Sequence, residues 1–383
     1  MKRIAIAALL LALATYPYSF AVRAELPAEP IPNVLKLATP YPDGYAMVHD
    51  FKFSGLIDSK FALVDTRTQR FKGMISAGQF ATINHSVKRQ KFYVGETIHT
   101  RGVRGDRQDI IAIYDFENLD LVNEIDIPPK RMNVVINESS VVMTADEKFL
   151  LVFNMDPGTS VTVIDLDAEE VVSEIPMPGC TLMYPDTERG FVSLCGNGGL
   201  VHVTLEDDGS EADRWASEPF NDIDADPLSE KAAYIDGVWY FVTYGGEVQP
   251  VDVSGDRPQV GERWWLTTED ERAANWRPAG WHGKAGNATD GKAKLWVGMT
   301  PDGYEGSHKD PAPEVWLVDV EKRTIEQRIK LQTMALSIDV NKDNALLVVN
   351  IEAGLDVYDG ITGEYQHTIR ALGDTPYMVH AVE

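Results

Sequence analysis

The chain has 383 residues, of which 44% are hydrophobic and 25% are charged. This is ordinary globular composition, which excludes a disordered or collagen-like protein and leaves ample apolar material for a large core. Lys and Arg total 35 against 59 Asp and Glu, so the formal net charge is −24. Such a charge argues against binding nucleic acid or anionic lipid, both of which attract basic surfaces. It favours cationic partners or substrates.

The first 24 residues predict a cleaved secretory signal. Lys2 and Arg3 form the charged start, and the following apolar run, Ile4–Thr15, is shorter than the ~20 residues that span a bilayer. Small residues favour cleavage after Ala24, with cleavage after Ala21 as the alternative. The sequence therefore predicts an exported protein without a membrane span, in which residues 25–383 form one domain.

The chain has two cysteines, Cys180 and Cys195. Export permits disulfides, and an even count at close spacing favours one bridge that closes a short loop. Two buried free thiols are the alternative. Neither cysteine belongs to a Cys-x-x-Cys or Cys-x-x-Cys-His motif, which argues against a redox dithiol and against a covalently attached c-type haem.

One strand pattern recurs along the chain. Alternating apolar residues end in a marker residue, usually Asp, and a polar turn then leads into a second apolar strand. The alternation is typical of a half-buried strand, and the Asp side chain is suited to capping the turn. In chain order, the marker residues are Asp65, Asp115, Asp165, Thr204, Asp252, Asp319 and Asp359.

The spacing of the markers predicts the fold. A repeat of ~40–50 residues with about four short strands is the period of a β-propeller blade. Seven copies predict an all-β, seven-bladed β-propeller with almost no helix, interrupted by a loop or short helix at Thr267–Gly291. Because ring closure removes exposed sheet edges, Tyr45–Phe53 is expected to share a blade with Tyr377–Val382.

Local motifs for catalysis are sparse. The eight histidines are scattered, and no His-x-His or His-Glu-x-x-His motif is present, so no metal site is predicted. Gly196–Gly199 lies between two strands and is typical of a hairpin turn rather than a phosphate loop. The recurring Asp residues favour turn capping over calcium binding or paired catalytic carboxylates. We therefore predict no catalytic residue, metal or cofactor on this chain.

Two polar segments depart from the repeat, Thr100–Asp109 and Asp302–Lys309. Arginine presents a planar fork of donors that pairs well with carboxylates, so such a segment predicts a subunit contact or an internal salt-bridged loop. The candidate contact residues are Arg101, Arg104, Arg107, Asp109 and His308.

Several segments together resemble the large (heavy, β) subunit of the tryptophan tryptophylquinone amine dehydrogenases. The matching segments are Thr100–Asp109, Pro128–Arg131, Lys148–Asp165, Gly179–Cys180 with Cys195–Leu200, and Pro301–Lys309. They occur in the family's order and spacing over nearly the whole mature chain. Three segments resemble the aromatic amine branch of this family more than the methylamine branch: Pro128–Arg131, Gly198–Leu200 and Glu305–Lys309.

The resemblance implies a seven-bladed propeller within a periplasmic α2β2 heterotetramer that oxidises primary amines to aldehyde and ammonia. It implies that tryptophan tryptophylquinone is carried by the small subunit, a separate disulfide-rich chain, and that electrons leave to a small copper protein (a cupredoxin) of the azurin or amicyanin type. Cys180 and Cys195 would correspond to the family's intrachain disulfide.

The resemblance also implies a substrate channel that the large subunit lines with a phenylalanine after an Ala-rich or Gly-rich turn. The matching stretch is Ala77–Phe80, in which Gln79 occupies the aligned position and Phe80 follows it. This departure leaves the preferred amine open. Two other functions are alternatives: a non-enzymatic periplasmic propeller for binding or scaffolding, and a propeller enzyme with its own haem d1 or quinone, for which the sequence offers no ligands.

Overall fold

The computed structural model describes residues 36–289 and 292–382, so the predicted signal at residues 1–24 lies outside the described residues. The described chain is an all-β propeller whose strands form six hydrogen-bonded sheets. Five of these sheets have four or five strands and are called blades 1 to 5; the sixth has eight strands. In the described ranges, no helix is both long enough and apolar enough to span a bilayer.

The blades are antiparallel sheets whose strands mostly follow one another along the chain. Blade 1 consists of Tyr45–Asp50, Ser59–Asp65, Arg70–Ala77 and Pro376–Ala381. Blade 2 consists of Gln79–Ser86, Lys91–His99, Arg107–Asp115 and Leu121–Ile127. Blade 3 consists of Val141–Met143, Phe149–Asn154, Ser160–Asp165 and Glu170–Pro176. Blade 4 consists of Cys180–Pro185, Gly190–Cys195, Leu200–Leu205 and Glu211–Ala216. Blade 5 consists of Ala233–Ile235, Val238–Val242, Glu247–Asp252, Gln259–Val260 and Trp264–Trp265.

The prediction of seven blades was wrong, because the described residues form five separate blades and one continuous sheet. The eight-stranded sheet consists of Arg277–Pro278, Lys284–Thr289, Lys292–Thr300, Ala312–Asp319, Thr324–Val340, Ala345–Asn350, Leu355–Asp359 and Tyr365–Ile369. Its 17-residue strand, Thr324–Val340, pairs with Ala312–Asp319 near one end and with Ala345–Asn350 near the other. The segment Leu331–Leu336 contains no Gly, Pro, Asn or Asp to end the strand, so the repeats marked by Asp319 and Asp359 share one sheet.

The two ends of the described chain meet in blade 1, as the sequence predicts. Tyr45–Asp50 pairs antiparallel with Pro376–Ala381, and Val48 lies opposite Val379. The buried Asp50 carboxylate fixes the connection into the last strand by accepting the amides of Asp374 and Thr375. Closure of blade 1 is therefore confirmed.

Side-chain caps follow several of the strands and begin the helix. Asp65 accepts the amides of Arg67 and Thr68, and Asp359 accepts those of the residues two and three positions on, so turn capping is confirmed at both markers. The predicted insertion contains the helix Glu269–Ala273, which a capping box between Thr268 and Glu271 begins. Single-turn 3-10 helices occur at Glu138–Ser140 and Ser307–Lys309.

The hydrophobic core lies between neighbouring sheets. Phe61 and Ile75 of blade 1 belong to one buried cluster with Phe92 and Ile110 of blade 2. Other buried clusters contain residues of blades 2 and 3, of blades 3 to 5, and of blade 5 with the eight-stranded sheet. Each blade therefore depends on its neighbours to bury both faces, which holds the inter-blade connections in place.

The structure joins Cys180 and Cys195 in a disulfide, as predicted; the two residues are register partners on adjacent strands of blade 4. We expect the exported protein to be two hydrogens lighter by mass spectrometry than its reduced form. Replacing Cys180 by Ala is expected to lower the free energy of unfolding by roughly 3 kcal/mol, because the bridge restricts the unfolded chain. Two alkylatable thiols in the folded, exported protein would contradict the pairing.

Candidate functional site

The predicted site residues lie on or just beneath one face of the propeller. Because the strands of a blade alternate in direction, the connections between blades and the hairpins between the middle strands emerge at the same end. We call this end the crossover face. It carries the segments 51–58, 100–106, 128–140, 196–199 and 301–311. The marker residues lie at the opposite ends of their strands, away from it.

Phe80 is part of an aromatic cluster on the crossover face, formed by Phe51, Phe53, Phe80, Trp281 and Tyr377. The centroid of Phe51 is 5.4 Å from that of Phe80, 5.7 Å from that of Phe53 and 6.0 Å from that of Tyr377. The rings of Trp281 and Tyr377 are 5.7 Å apart. Phe53 is 62% exposed whereas Phe51 is buried, so the cluster presents part of its apolar surface to solvent.

The backbone of Phe80 adopts an unusual conformation that a buried arginine supports. Its φ of 49° is in the left-handed region, which is unfavourable for a bulky residue. Arg131 is 1% exposed, and its Nη2 donates to the carbonyl oxygens of Gln79 at 3.1 Å and of Phe80 at 3.0 Å. The Phe80 backbone is therefore held by hydrogen bonds from a buried side chain.

The Gln79 side chain forms a hydrogen bond within this chain. Its Nε2 donates to the carbonyl oxygen of Leu56 at 2.7 Å, which links the start of blade 2 to the hairpin of blade 1. This bond satisfies an amide that would otherwise be costly to bury. Of these two residues, Phe80 belongs to the aromatic cluster, whereas Gln79 bonds to the neighbouring hairpin.

Asp109 is fully buried beneath the crossover face and accepts four hydrogen bonds. Its Oδ1 accepts from Thr97 Oγ1 at 2.8 Å and from Arg107 Nε at 2.9 Å, and its Oδ2 accepts from Arg107 Nη2 at 2.7 Å and from the Arg131 amide at 3.0 Å. Burial lowers the pKa of Arg131 to about 10, an effect that Asp109 opposes. Arg107 and Asp109 thus form the internal salt bridge that the sequence offered as one alternative.

Arg101 and Arg104 occupy the exposed tip of the hairpin between the middle strands of blade 2. The Arg101 amide donates to the Arg104 carbonyl oxygen at 2.9 Å, which closes the turn and leaves both side chains at the surface. Their guanidinium groups are placed where a partner with carboxylates could contact them.

His308 lies beside an open cleft on the crossover face. Its ring stacks on that of Tyr244, with centroids 3.6 Å apart and an interplanar angle of 5°. The cleft has a volume of about 840 Å³, and its lining includes the exposed side chains of Trp265 and Tyr304. Burial, followed by the charge of Lys309, lowers the pKa of His308 to about 4, so the ring is neutral at pH 7.

Sequence reasoning did not single out four residues that shape this site: Phe51, Arg131, Trp281 and Tyr377. Arg131 belongs to a segment that carries the family resemblance, but nothing in that segment indicates its burial. The aromatic residues come from distant parts of the chain and meet only after blade 1 closes. Within residues 36–289 and 292–382, no three His, Cys, Asp or Glu side chains are grouped as a metal site.

Comparison with solved structures supports the fold. A putative 6-phosphogluconolactonase from Bacteroides fragilis superposes with a TM-score of 0.58 at 12% identity, covering 92% of this chain and 99% of that one. A dihydro-heme d1 dehydrogenase superposes with a TM-score of 0.56 at 14% identity, covering 92% and 78%. At these identities the likeness shows the fold alone.

Comparison of sequences is more specific. The family described as methylamine dehydrogenase heavy chain (MADH) matches residues 47–383. The methylamine dehydrogenase heavy chain of Paracoccus versutus is 26% identical over 352 residues, which cover 90% of this chain and 80% of that one. The heavy chain of Methylophilus methylotrophus is 25% identical over 328 residues, which cover 82% and 78%. The chain therefore belongs to the methylamine dehydrogenase heavy-chain family.

Proposed function

We propose that this chain is the large subunit of a periplasmic amine dehydrogenase that oxidises primary amines to aldehyde and ammonia. Membership of the heavy-chain family supports this assignment. The structural observation that carries it is the aromatic cluster, in which Phe80 is held by Arg131 on the face that bears the inter-blade connections. On this proposal Phe80 and Phe51 form part of the wall of the substrate channel, where they contact the side chain of the amine and exclude water.

The proposal places tryptophan tryptophylquinone on the partner small subunit, where it would accept electrons from the amine. The crossover face suits that division of roles, since its cluster offers apolar rings and a buried arginine supports the backbone of Phe80. The two cysteines of this chain bond to each other, which fits an oxidising compartment. Electrons would then pass to a cupredoxin of the azurin or amicyanin type.

We further propose that the amine is larger than methylamine. The three segments that resemble the aromatic amine branch are Pro128–Arg131, Gly198–Leu200 and Glu305–Lys309, and each lies on the crossover face or continues from it. The first of them supplies the arginine beneath Phe80. An aromatic wall of this kind favours a substrate with an apolar side chain, because burying that side chain contributes to binding.

The proposed assembly is an α2β2 heterotetramer in which the small subunit contacts the crossover face. The exposed Arg101 and Arg104, and His308 beside its cleft, are the candidate contact residues. Arg107 and Asp109 support this surface from below through their salt bridge. The chain would enter the periplasm through cleavage of residues 1–24, and residues 25–383 would fold as one propeller domain.

The isolated chain is expected to have no amine dehydrogenase activity and to gain it when the small quinone-bearing subunit is co-expressed. The measurement is amine-dependent reduction of a redox dye by the chain alone and by the purified complex. Dye reduction by the large chain alone would contradict the assignment. A complex that assembles but reduces no dye with any primary amine would favour the non-enzymatic scaffold.

A further inference from the structure

A second polar site lies at the centre of the propeller, apart from the aromatic cluster. Residues of the edge strands Gln79–Ser86 and Pro376–Ala381, of the long strand Thr324–Val340 and of the connection before blade 3 surround a cavity of about 230 Å³. Its polar lining consists of Asn84, His85, Glu138, Asp339 and His380. These residues come from blades 1 and 2, the eight-stranded sheet and the connection before blade 3, so only the assembled ring brings them together.

Glu138 and His380 line the cavity, and the His282 imidazole lies beside Glu138. Glu138 Oε1 lies 3.4 Å from His380 Nδ1 and 3.9 Å from His282 Nδ1. The Glu138 side chain is 50% exposed and lines the cavity, whereas that of His282 is 8% exposed. The Nε2 atoms of His282 and His380 are buried without a hydrogen-bond partner among the described residues. Buried polar atoms usually have partners, so these two nitrogens indicate a missing donor.

The imidazoles around the cavity are neutral near pH 7. Burial is the main cause: it lowers the pKa of His380 to about 3, that of His85 to about 4 and that of His282 well below its usual value. The exposed half of the Glu138 side chain faces the cavity rather than open solvent, and this desolvation, followed by the charge of Asp339, raises the pKa of Glu138 to about 8. A bound cation would relieve this repulsion between carboxylates, and the neutral rings do not compete for that role.

The lining groups are mainly hydrogen-bond acceptors. Asn84 Nδ2 donates to the Val141 carbonyl oxygen at 3.2 Å, which leaves its own carbonyl oxygen as an acceptor. A neutral imidazole whose ring proton is on Nδ1 presents Nε2 as an acceptor, and carboxylates accept. The matching ligand is a positively charged group with several N–H donors. A bare alkali cation matches less well, because hard cations prefer oxygen ligands and have no donors.

From these observations we propose that the cavity binds a primary ammonium ion, either ammonium itself or a short alkylammonium, between Glu138, His380 and Asn84. The cavity is wide enough for such an ion, and the described residues bring no three potential ligands to metal-binding separation. The inference goes beyond the proposed function and does not depend on it, because Glu138, His380 and Asn84 are not members of the aromatic cluster.

The test is calorimetric titration of the purified full chain with methylammonium chloride, which replaces sodium chloride at constant ionic strength. We expect saturable binding that Glu138→Gln weakens by at least about tenfold, since a charged hydrogen-bond partner is lost. The matched control is Glu305→Gln, an exposed carboxylate on the crossover face, which should bind as the parent does. Equal binding by Glu138→Gln, or equally tight binding of potassium, would overturn the proposal.

A second variant covers the possibility that Glu138→Gln disturbs the fold, which a circular-dichroism melt would reveal. His380→Phe keeps a ring at the same position but removes the nitrogen acceptor, so it should also weaken methylammonium binding. Unchanged binding by this variant, with a parent-like melting temperature, would contradict the proposed contact.

Methylammonium affinity is expected to rise as the pH increases through about 8, because the cation favours ionised Glu138 and releases its proton. Burial lowers the pKa of Lys284 to about 7, so Lys284 titrates in the same pH range. Its effect on binding must be distinguished from that of Glu138. Glu138→Gln should abolish the pH dependence; a dependence that survives would assign it to Lys284 and overturn this role of Glu138. The other charged or titratable groups facing this set are His49, His85, Lys231, His282, Asp339, Lys342 and His380.

Discussion

Asp109→Ala is expected to lower the free energy of unfolding by about 3–5 kcal/mol, the range for removing one partner of a buried ion pair. Asp109 has no exposed surface and accepts four hydrogen bonds, two of them from Arg107 and one from the Arg131 amide. Its loss leaves the Arg107 guanidinium without its carboxylate partner. Chemical denaturation of the full chain, followed by circular dichroism, measures the effect.

The matched control is Asp106→Ala, three residues earlier in the same hairpin. The Asp106 side chain is exposed, so its loss is expected to change the free energy of unfolding by about 0.5 kcal/mol or less. Similar small effects for both variants would mean that the Asp109 network adds nothing to stability. A parent-like Asp109→Ala protein would also remove the argument that this network supports the crossover face.

Phe80→Ala, measured in the assembled complex, is expected to change the ratio of kcat/KM between amines. Losing a buried aromatic contact of about 1.5–3 kcal/mol corresponds to a fall of roughly 10–150-fold for phenethylamine relative to ethylamine. The ratio is the informative quantity, because specificity is a difference in transition-state binding. Steady-state dye reduction with both amines gives the measurement.

Phe71→Ala provides the control for Phe80. Phe71 is 57% exposed on an outer strand of blade 1, at the end away from the crossover face, so its loss should leave the ratio unchanged. If Phe80→Ala reduces kcat/KM equally for both amines, or for neither, Phe80 has only a packing role within the aromatic cluster.

The sequence predicted the features of this fold that depend on local pattern. Period-2 alternation located the strands, and Asp65 and Asp359 cap turns because an Asp side chain reaches the amides two and three residues on. The number of blades, in contrast, does not depend on local pattern alone. Counting repeats in the sequence counts pairs of strands. Two repeats form separate sheets only if the strand between them ends, and Leu331–Leu336 contains no residue that would end the strand Thr324–Val340.

The candidate site was predictable only in part. Phe80 was identified through a resemblance in its own segment, but its neighbours Phe51, Trp281 and Tyr377 are far apart in sequence. The burial of Arg131 could not be predicted either, because an arginine after a loop is usually exposed. Both features follow from ring closure and from inter-blade packing, which leave no periodic signal in the sequence.

Pairing of Tyr45–Asp50 with Pro376–Ala381 affects how this chain can fold. Contacts that join opposite ends of a long chain require closing a loop of more than 300 residues, and such non-local contacts slow folding. During synthesis from the ribosome, blade 1 must wait for its last strand while blades 2 to 5 already contain all of theirs. A chain truncated before Pro376 would therefore expose an unpaired strand edge at Tyr45–Asp50, the kind of surface on which aggregation begins.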